Sequence, residues 1–209
     1  MMHIKQLLVV FLGLATACLD THNRTEVTRE PAMSVGADTS TVTSTGDVIE
    51  LRQIDETGTL KERFGESVAI SGNIGLVGAP RDNQNGPETG AVYLFDVNTG
   101  VQIYKLTPNV PTLGFGNSVA ISGNIALIGA RADDENGYNS GAAYVFDLGD
   151  VENIDVERIT QIHKLTPQAP SDADSFGIAV AISDNIALIG ATAAYAPPGK
   201  AYLFNVSTG

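Results

Sequence analysis

The chain has 209 residues, enough for one medium domain or part of a larger one. With 43% hydrophobic residues and a mean hydropathy near zero it can build a packed core, so disorder over its whole length is excluded. Twelve basic residues against 24 acidic ones give a net charge of −12, which excludes a nucleic-acid backbone or an anionic membrane surface as the main partner, since both need a positive patch.

Residues 1–17 read as an export leader. His3 and Lys5 form a polar to basic start, and 7–14 is an apolar run too short to span a bilayer. Ala15-Thr16-Ala17 then supplies small residues before a cut. Cys18 follows and is the only cysteine, so a disulfide within the chain is impossible. This arrangement resembles the lipobox of bacterial lipoproteins, in which the cysteine after the cut is acylated. The third residue before the cut is Ala15, where that family usually has Leu, and Leu14 sits one place further back. Two readings stand: an envelope or cell-surface lipoprotein attached through Cys18, and ordinary secretion after Ala17. Residues 18–47 are rich in Thr, Ser, Asp, Glu and Gly without apolar periodicity, and read as a flexible polar tether.

The region 48–209 is repetitive, and repeats take precedence in reading a fold. Three copies of one unit begin at Phe64-Gly65, Phe115-Gly116 and Phe176-Gly177, spaced by 51 and then 61 residues. Most of the extra length falls at 148–160, and two further residues lie between Pro167 and Phe176. The unit is constant and its insertions fall between strands, as expected of a stacked architecture.

Each unit reads as four short strands. In the second copy these are 118–122, 125–129, 142–146 and 161–166, the last ended by Pro167. The matching fourth strand of the first copy is 102–107, ended by Pro108. The first two strands are joined by Gly72-Asn73, Gly123-Asn124 or Asp184-Asn185, residues that tolerate positive φ and suit a tight hairpin. The runs are short, β-branched and aromatic, which argues against helix. Ile125 and Leu127 fall on one face of the second strand, Ala126 and Ile128 on the other, so that sheet needs neighbours on both sides. Four-stranded antiparallel sheets packed face to face around an axis make a β-propeller. The expected fold is all-β: propeller blades at about 64–114, 115–175 and 176–209, the last incomplete.

These units resemble the FG-GAP repeat, the blade unit of integrin-α-like propellers. Phe64-Gly65 pairs with Gly78-Ala79-Pro80, Phe115-Gly116 with Gly129-Ala130, and Phe176-Gly177 with Gly190-Ala191; the final Pro is kept only in the first copy. The resemblance spans 64–209 and implies an extracellular adhesion or ligand-binding platform. The third unit stops at 204–209, ahead of its fourth strand, while 48–54 reads as a spare strand before the first Phe-Gly. The expectation is a piece of a larger propeller, with assembly of several chains into a ring as the competing idea. Exposed blade faces would permit such self-association.

Some propellers of this kind carry an Asp-rich calcium loop between the first two strands of a blade. Here that connection is only Ser-Gly-Asn or Ser-Asp-Asn, too short and too poor in carboxylates for a hard cation. A second acidic loop joins strands two and three, with Asp133, Asp134 and Asn136 matched by Asp82 and Asn85 in the first copy. Turn chemistry accounts for these residues, and a weak calcium site is the alternative reading. No cofactor is otherwise implied.

No catalytic constellation is visible. His3 and His22 precede the repeats, and His163 replaces Tyr104 of the first copy, which suits packing. Ser67 and Ser118 recur in the first strand without a nucleophile elbow or a paired His. Trp is absent, so an aromatic platform for sugars gets no support. The reading is a non-enzymatic exported surface protein, adhesive or binding a protein or glycan through loops at 80–90, 131–141 and 192–199. The insertion at 148–160 lies on the opposite rim. The alternatives are a fragment of a propeller-containing enzyme or enzyme subunit, and a purely structural envelope component. Nucleic acid is not a partner on this reading, and the membrane is reached only through the lipid on Cys18.

Overall fold

The computed structural model describes residues 63–150, 155–193 and 198–208. The leader, Cys18, the tether and the strand expected at 48–54 lie outside the described residues, as do 194–197 of the third loop.

Eleven strands follow one another among the described residues. The first sheet, blade 1, holds β1 (Ser67–Ser71), β2 (Ile74–Ala79), β3 (Ala91–Asp96) and β4 (Gln102–Leu106). Blade 2 holds β5 (Phe115–Ser122), β6 (Ile125–Ala130), β7 (Ala142–Asp147) and β8 (Thr160–Leu165). Blade 3 has three strands, β9 (Ala179–Ser183), β10 (Ile186–Ala191) and β11 (Lys200–Asn205). Neighbours in sequence are neighbours in each sheet, and all pair antiparallel. These are the blades of a β-propeller, in the order that the repeats imply.

The hairpin between the first two strands depends on one residue. Gly72, Gly123 and Asp184 all take φ between 50° and 57°, where Gly is unstrained and Asp is among the better tolerated residues. β5 starts at Phe115, three residues before the expected strand. Phe115 pairs with Ala130 and the register then jumps to Ser118 opposite Gly129, a bulge that the sequence pattern did not mark. Within the insertion, Asp155 caps a 3-10 turn (Val156–Arg158) by accepting from the Glu157 N–H. Leu148 ahead of it is fully buried, so one end of the insertion is anchored in the core.

Adjacent strand residues point to opposite faces, and both faces of blade 2 are covered. Ile128, Tyr144 and Phe146 join Leu76, Val92 and Leu94 of blade 1 in one cluster. Leu127, Ala143 and Val145 join Ala187, Ile189 and Phe176 of blade 3 in another. Burying a side chain of this size contributes about 1.5–3 kcal/mol, so these two sandwiched layers dominate the stability of the stack.

Candidate functional site

The Phe-Gly and Gly-Ala residues that define the repeat meet between blades. Each Phe packs edge-on against the Tyr and Phe of its own blade: Phe64 with Tyr93 and Phe95, Phe115 with Tyr144 and Phe146, Phe176 with Tyr202 and Phe204, at ring-centroid distances of 5.3–6.0 Å. The following glycine turns its carbonyl into the preceding blade. Ser67 Oγ donates to the Gly116 carbonyl at 2.8 Å, and Ser118 Oγ donates to the Gly177 carbonyl at 2.7 Å. Gly78 and Gly129 of the Gly-Ala pairs leave the room for it. A Cβ on Gly129 would lie 2.0 Å from the Gly177 carbonyl oxygen, and one on Gly78 would lie 2.2 Å from that of Gly116. The motif is thus a clasp between consecutive blades. Ser67 and Ser118, weighed above as nucleophiles, are its hydrogen-bond donors.

The clasp also pins the loops at that end of the stack. The Gly114 and Phe115 N–H groups donate to the carbonyls of Glu88 and Thr89, tying the connection before blade 2 to the 80–90 loop. Ser175 and Phe176 do the same onto Asn139 and Ser140 of the 131–141 loop. At the opposite end the Leu148 N–H donates to the Asn124 carbonyl, which places the insertion beside the hairpin turn, on the other rim.

Asp82 and Asp133 sit at the root of the two pinned loops and are buried, not displayed. Asp82 accepts from the Tyr93 hydroxyl at 2.6 Å, from Lys105 Nζ at 2.6 Å and from the Gln84 N–H at 3.0 Å. Asp133 accepts from the Tyr144 hydroxyl at 2.6 Å, Lys164 Nζ at 2.8 Å, Thr112 Oγ1 at 2.6 Å and the Glu135 N–H at 3.1 Å. Lys164 also pairs with Glu135. Each ammonium lies over the tyrosine ring it shares with the carboxylate, 5.0 and 5.4 Å from the centroid. Burial alone would raise both carboxyl pKa values. The hydrogen bonds from lysine and tyrosine, with Thr112 at Asp133, outweigh it and hold both below the ordinary range. Burial, reinforced by the Asp133 charge, pushes the Tyr144 hydroxyl up to about 12. Burial works to lower the Lys164 pKa, but its bonds to Asp133 and Glu135 prevail and raise it.

The other loop residues singled out from the sequence behave differently. Asp134 Oδ1 accepts from the Asn139 N–H, closing its own loop. Asn85 and Asn136 are exposed on the same loops. The structure therefore gathers Asp82 and Asp133 into two separate Asp–Tyr–Lys networks and does not bring them together with each other. Among the described residues, no three His, Cys, Asp or Glu side chains converge as a metal site would require. His163 lines an open cleft of about 570 Å³ between the turns of blades 2 and 3, together with Asn124, Asp184 and Ser207.

A family model described as FG-GAP repeat matches residues 56–95, 102–146 and 159–204, well over half of the chain. The chain belongs to the FG-GAP repeat family. Each of the second and third matches opens on or just before the fourth strand of one blade and closes on the third strand of the next. The FG-GAP unit as a sequence family thus straddles the clasp, which is the joint it preserves. No match was found among curated proteins.

The networks were only half visible in the sequence. Asp, Tyr and Lys recur together at 82, 93 and 105 and at 133, 144 and 164, while the third FG-GAP copy has Ala194 in place of the Asp. That joint recurrence is the signal that could have found them.

Proposed function

We propose that this FG-GAP chain is a non-enzymatic surface protein, exported and held by a lipid on Cys18, whose propeller repeats form a scaffold for binding a protein or glycan. The observation that carries this reading is the loop end of the stack. There the backbones of 80–90 and 131–141 are fixed by the same hydrogen bonds in both copies, while the side chains they display differ. Pro87 of blade 1 is replaced by Tyr138 in blade 2, which is 66% exposed. Val110, 70% exposed, lies on the adjacent connection. A rigid backbone carrying variable exposed side chains suits recognition, because little ordering entropy is lost on binding.

The Tyr138 backbone is held from both sides. Its N–H donates to Asp172 Oδ1 at 3.1 Å, and its carbonyl accepts from the Ala173 N–H at 2.7 Å. Both partners lie in the stretch that is two residues longer than its counterpart before blade 2. The lipid anchor rests on the leader and on Cys18.

The full chain should be screened on a glycan array and on a panel of immobilised extracellular proteins. Saturable binding is expected, weakened about tenfold or more by Tyr138→Ala with Val110→Ser, and unchanged by Asn98→Ala at the opposite end. A screen without saturable binding, or binding lost equally from both ends, overturns the reading. Cys18→Ser should abolish incorporation of labelled palmitate and release the protein from the membrane fraction. Unchanged membrane attachment would remove the anchor.

A further inference from the structure

The loops between the second and third strands of blades 1 and 2 carry the same dipeptide at the same place, Asn85-Gly86 and Asn136-Gly137. These are the only two asparagines in the chain that glycine follows. Both are exposed, and their side chains make no hydrogen bond among the described residues. Other asparagine side chains are held. Asn83 Oδ1 accepts from the Glu88 N–H, Asn117 Nδ2 donates to the Gly177 carbonyl, and Asn124 Nδ2 donates to Asp147. A glycine after asparagine has no Cβ to shield its backbone nitrogen, so the preceding side chain can reach it.

The two sites share one backbone geometry. Gly86 and Gly137 have φ of 128° and 129°, and their N–H groups donate to the carbonyls of Asn83 and Asp134, both at 3.2 Å. They differ in what holds the next residues. The Tyr138 N–H donates to Asp172 Oδ1 at 3.1 Å, and the Tyr138 carbonyl accepts from the Ala173 N–H at 2.7 Å. The same carboxylate lies against Gly137, where an added Cβ would fall 2.4 Å from Oδ1. At Gly86 an added Cβ would meet only a Thr89 methyl, at 3.2 Å. Pro87 follows Gly86 and has no N–H to be held. The stretch before blade 3 therefore braces the Asn136 loop, and the Asn85 loop has no such brace among the described residues.

We propose that Asn85 and Asn136 are sites of spontaneous deamidation, and that Asn85 reacts first. The backbone nitrogen of the glycine gives up its proton and bonds to Cγ of the asparagine. The Cγ–Nδ2 bond breaks, and ammonia leaves with that proton, closing a succinimide ring. Water then opens the ring at either carbonyl and leaves aspartate or isoaspartate. At Asn136, closing the ring swings Gly137 out of its place against Asp172 and pulls the Tyr138 N–H from the same carboxylate. Asn85 closes without that loss. Each event adds a negative charge to the loop end of the stack. At position 136 the new carboxylate stands in sequence beside Asp134 and Glu135 and close to Asp172, where like charges repel. Isoaspartate there also lengthens the main chain by a methylene just ahead of Tyr138. No ligand and no lipid enter this chemistry.

The test is peptide mass mapping of the full chain over a time course in mildly alkaline buffer, which favours loss of the amide proton. A gain of about 1 Da, amide to acid, is expected at Asn85 and later at Asn136. In urea the brace is gone, so the lead of Asn85 should shrink by about threefold or more, the worth of one hydrogen bond. Asp172 is exposed, so Asp172→Ala should fold, as a cooperative thermal transition will verify. That variant should speed Asn136 by about threefold or more and leave Asn85 unchanged. Asp172→Asn keeps an accepting oxygen and should leave Asn136 slow. Asparagines that stay intact at both sites, or an Asn136 that keeps pace with Asn85 in the folded chain, overturn the inference. A lead that urea leaves unaltered would show that the neighbouring sequence, and not Asp172, sets the order.

Discussion

Gly129→Ala probes the clasp directly. The added Cβ would lie 2.0 Å from the Gly177 carbonyl oxygen and 2.2 Å from Ser118 Oγ. A carbon and a carbonyl oxygen approach to about 3.3 Å even in favourable contacts, so blade 3 would have to retreat by roughly 1 Å. Overpacking of this kind costs about 1–3 kcal/mol. Separating Ser118 from the Gly177 carbonyl, now 2.7 Å apart, adds about 1 kcal/mol. The expected loss is therefore about 2–4 kcal/mol, or roughly 5–15 °C in Tm for a domain of this size. Gly190→Ala is the control, since its Cβ would meet only ordinary contacts from 3.7 Å outward. There the smaller entropy of the unfolded chain should leave stability unchanged or raise it by up to about 1 kcal/mol. Urea unfolding of both variants gives the comparison. If the two lose the same stability, the glycine serves its own strand and the clasp account is refuted.

Three further outcomes follow from the same geometry. Ser118→Ala should cost about 1 kcal/mol in urea unfolding, because it removes the donor to the Gly177 carbonyl. Asp133→Ala should cost about 2–4 kcal/mol, discounted from a fully buried pair because Lys164 is 24% exposed. Asp82 and Asp133 have folded pKa values below their unfolded ones, so the stability they add is present above about pH 4 and is lost as the pH falls through the folded values. Tyr144 is raised to about 12, so its contribution is full below about pH 10 and disappears as the pH climbs to 12. Thermal unfolding across this range should show both declines, and Asp133→Ala should shrink the acid one by the Asp133 share and the alkaline one by the part due to the Asp133 charge, leaving the Asp82 share and the part due to Tyr144 burial. A variant with the wild-type pH profile would show that the network does not couple to folding.

The blades were legible because their signal is local and repeated. The turn at Gly123-Asn124 and the two-faced apolar run through Ile125 and Ile128 each need only adjacent residues to be read, and the structure has them where the sequence placed them. What the sequence did not reveal depends on contacts between blades. The reach of the Gly116 carbonyl to Ser67 crosses 49 positions, and nothing in the local pattern of either residue announces it. Asp133 looked like a turn residue because it stands among Asp, Asn and Gly. Its burial is decided by Tyr144 and Lys164, which come from the third and fourth strands. Leu76 and Leu188 are indistinguishable by sequence pattern, and only the stacking order makes one buried and the other half-exposed.

That last pair provides the most direct measurement of the whole account. Leu76, Leu127 and Leu188 occupy the same position in three successive blades, at 1%, 0% and 46% exposure. Leu→Ala at each, compared by urea unfolding, should cost about 2–5 kcal/mol at Leu76 and Leu127. At Leu188 it should cost about 1 kcal/mol or less, because its side chain is already half-exposed. Equal losses at all three positions would contradict the face-to-face stacking of the blades.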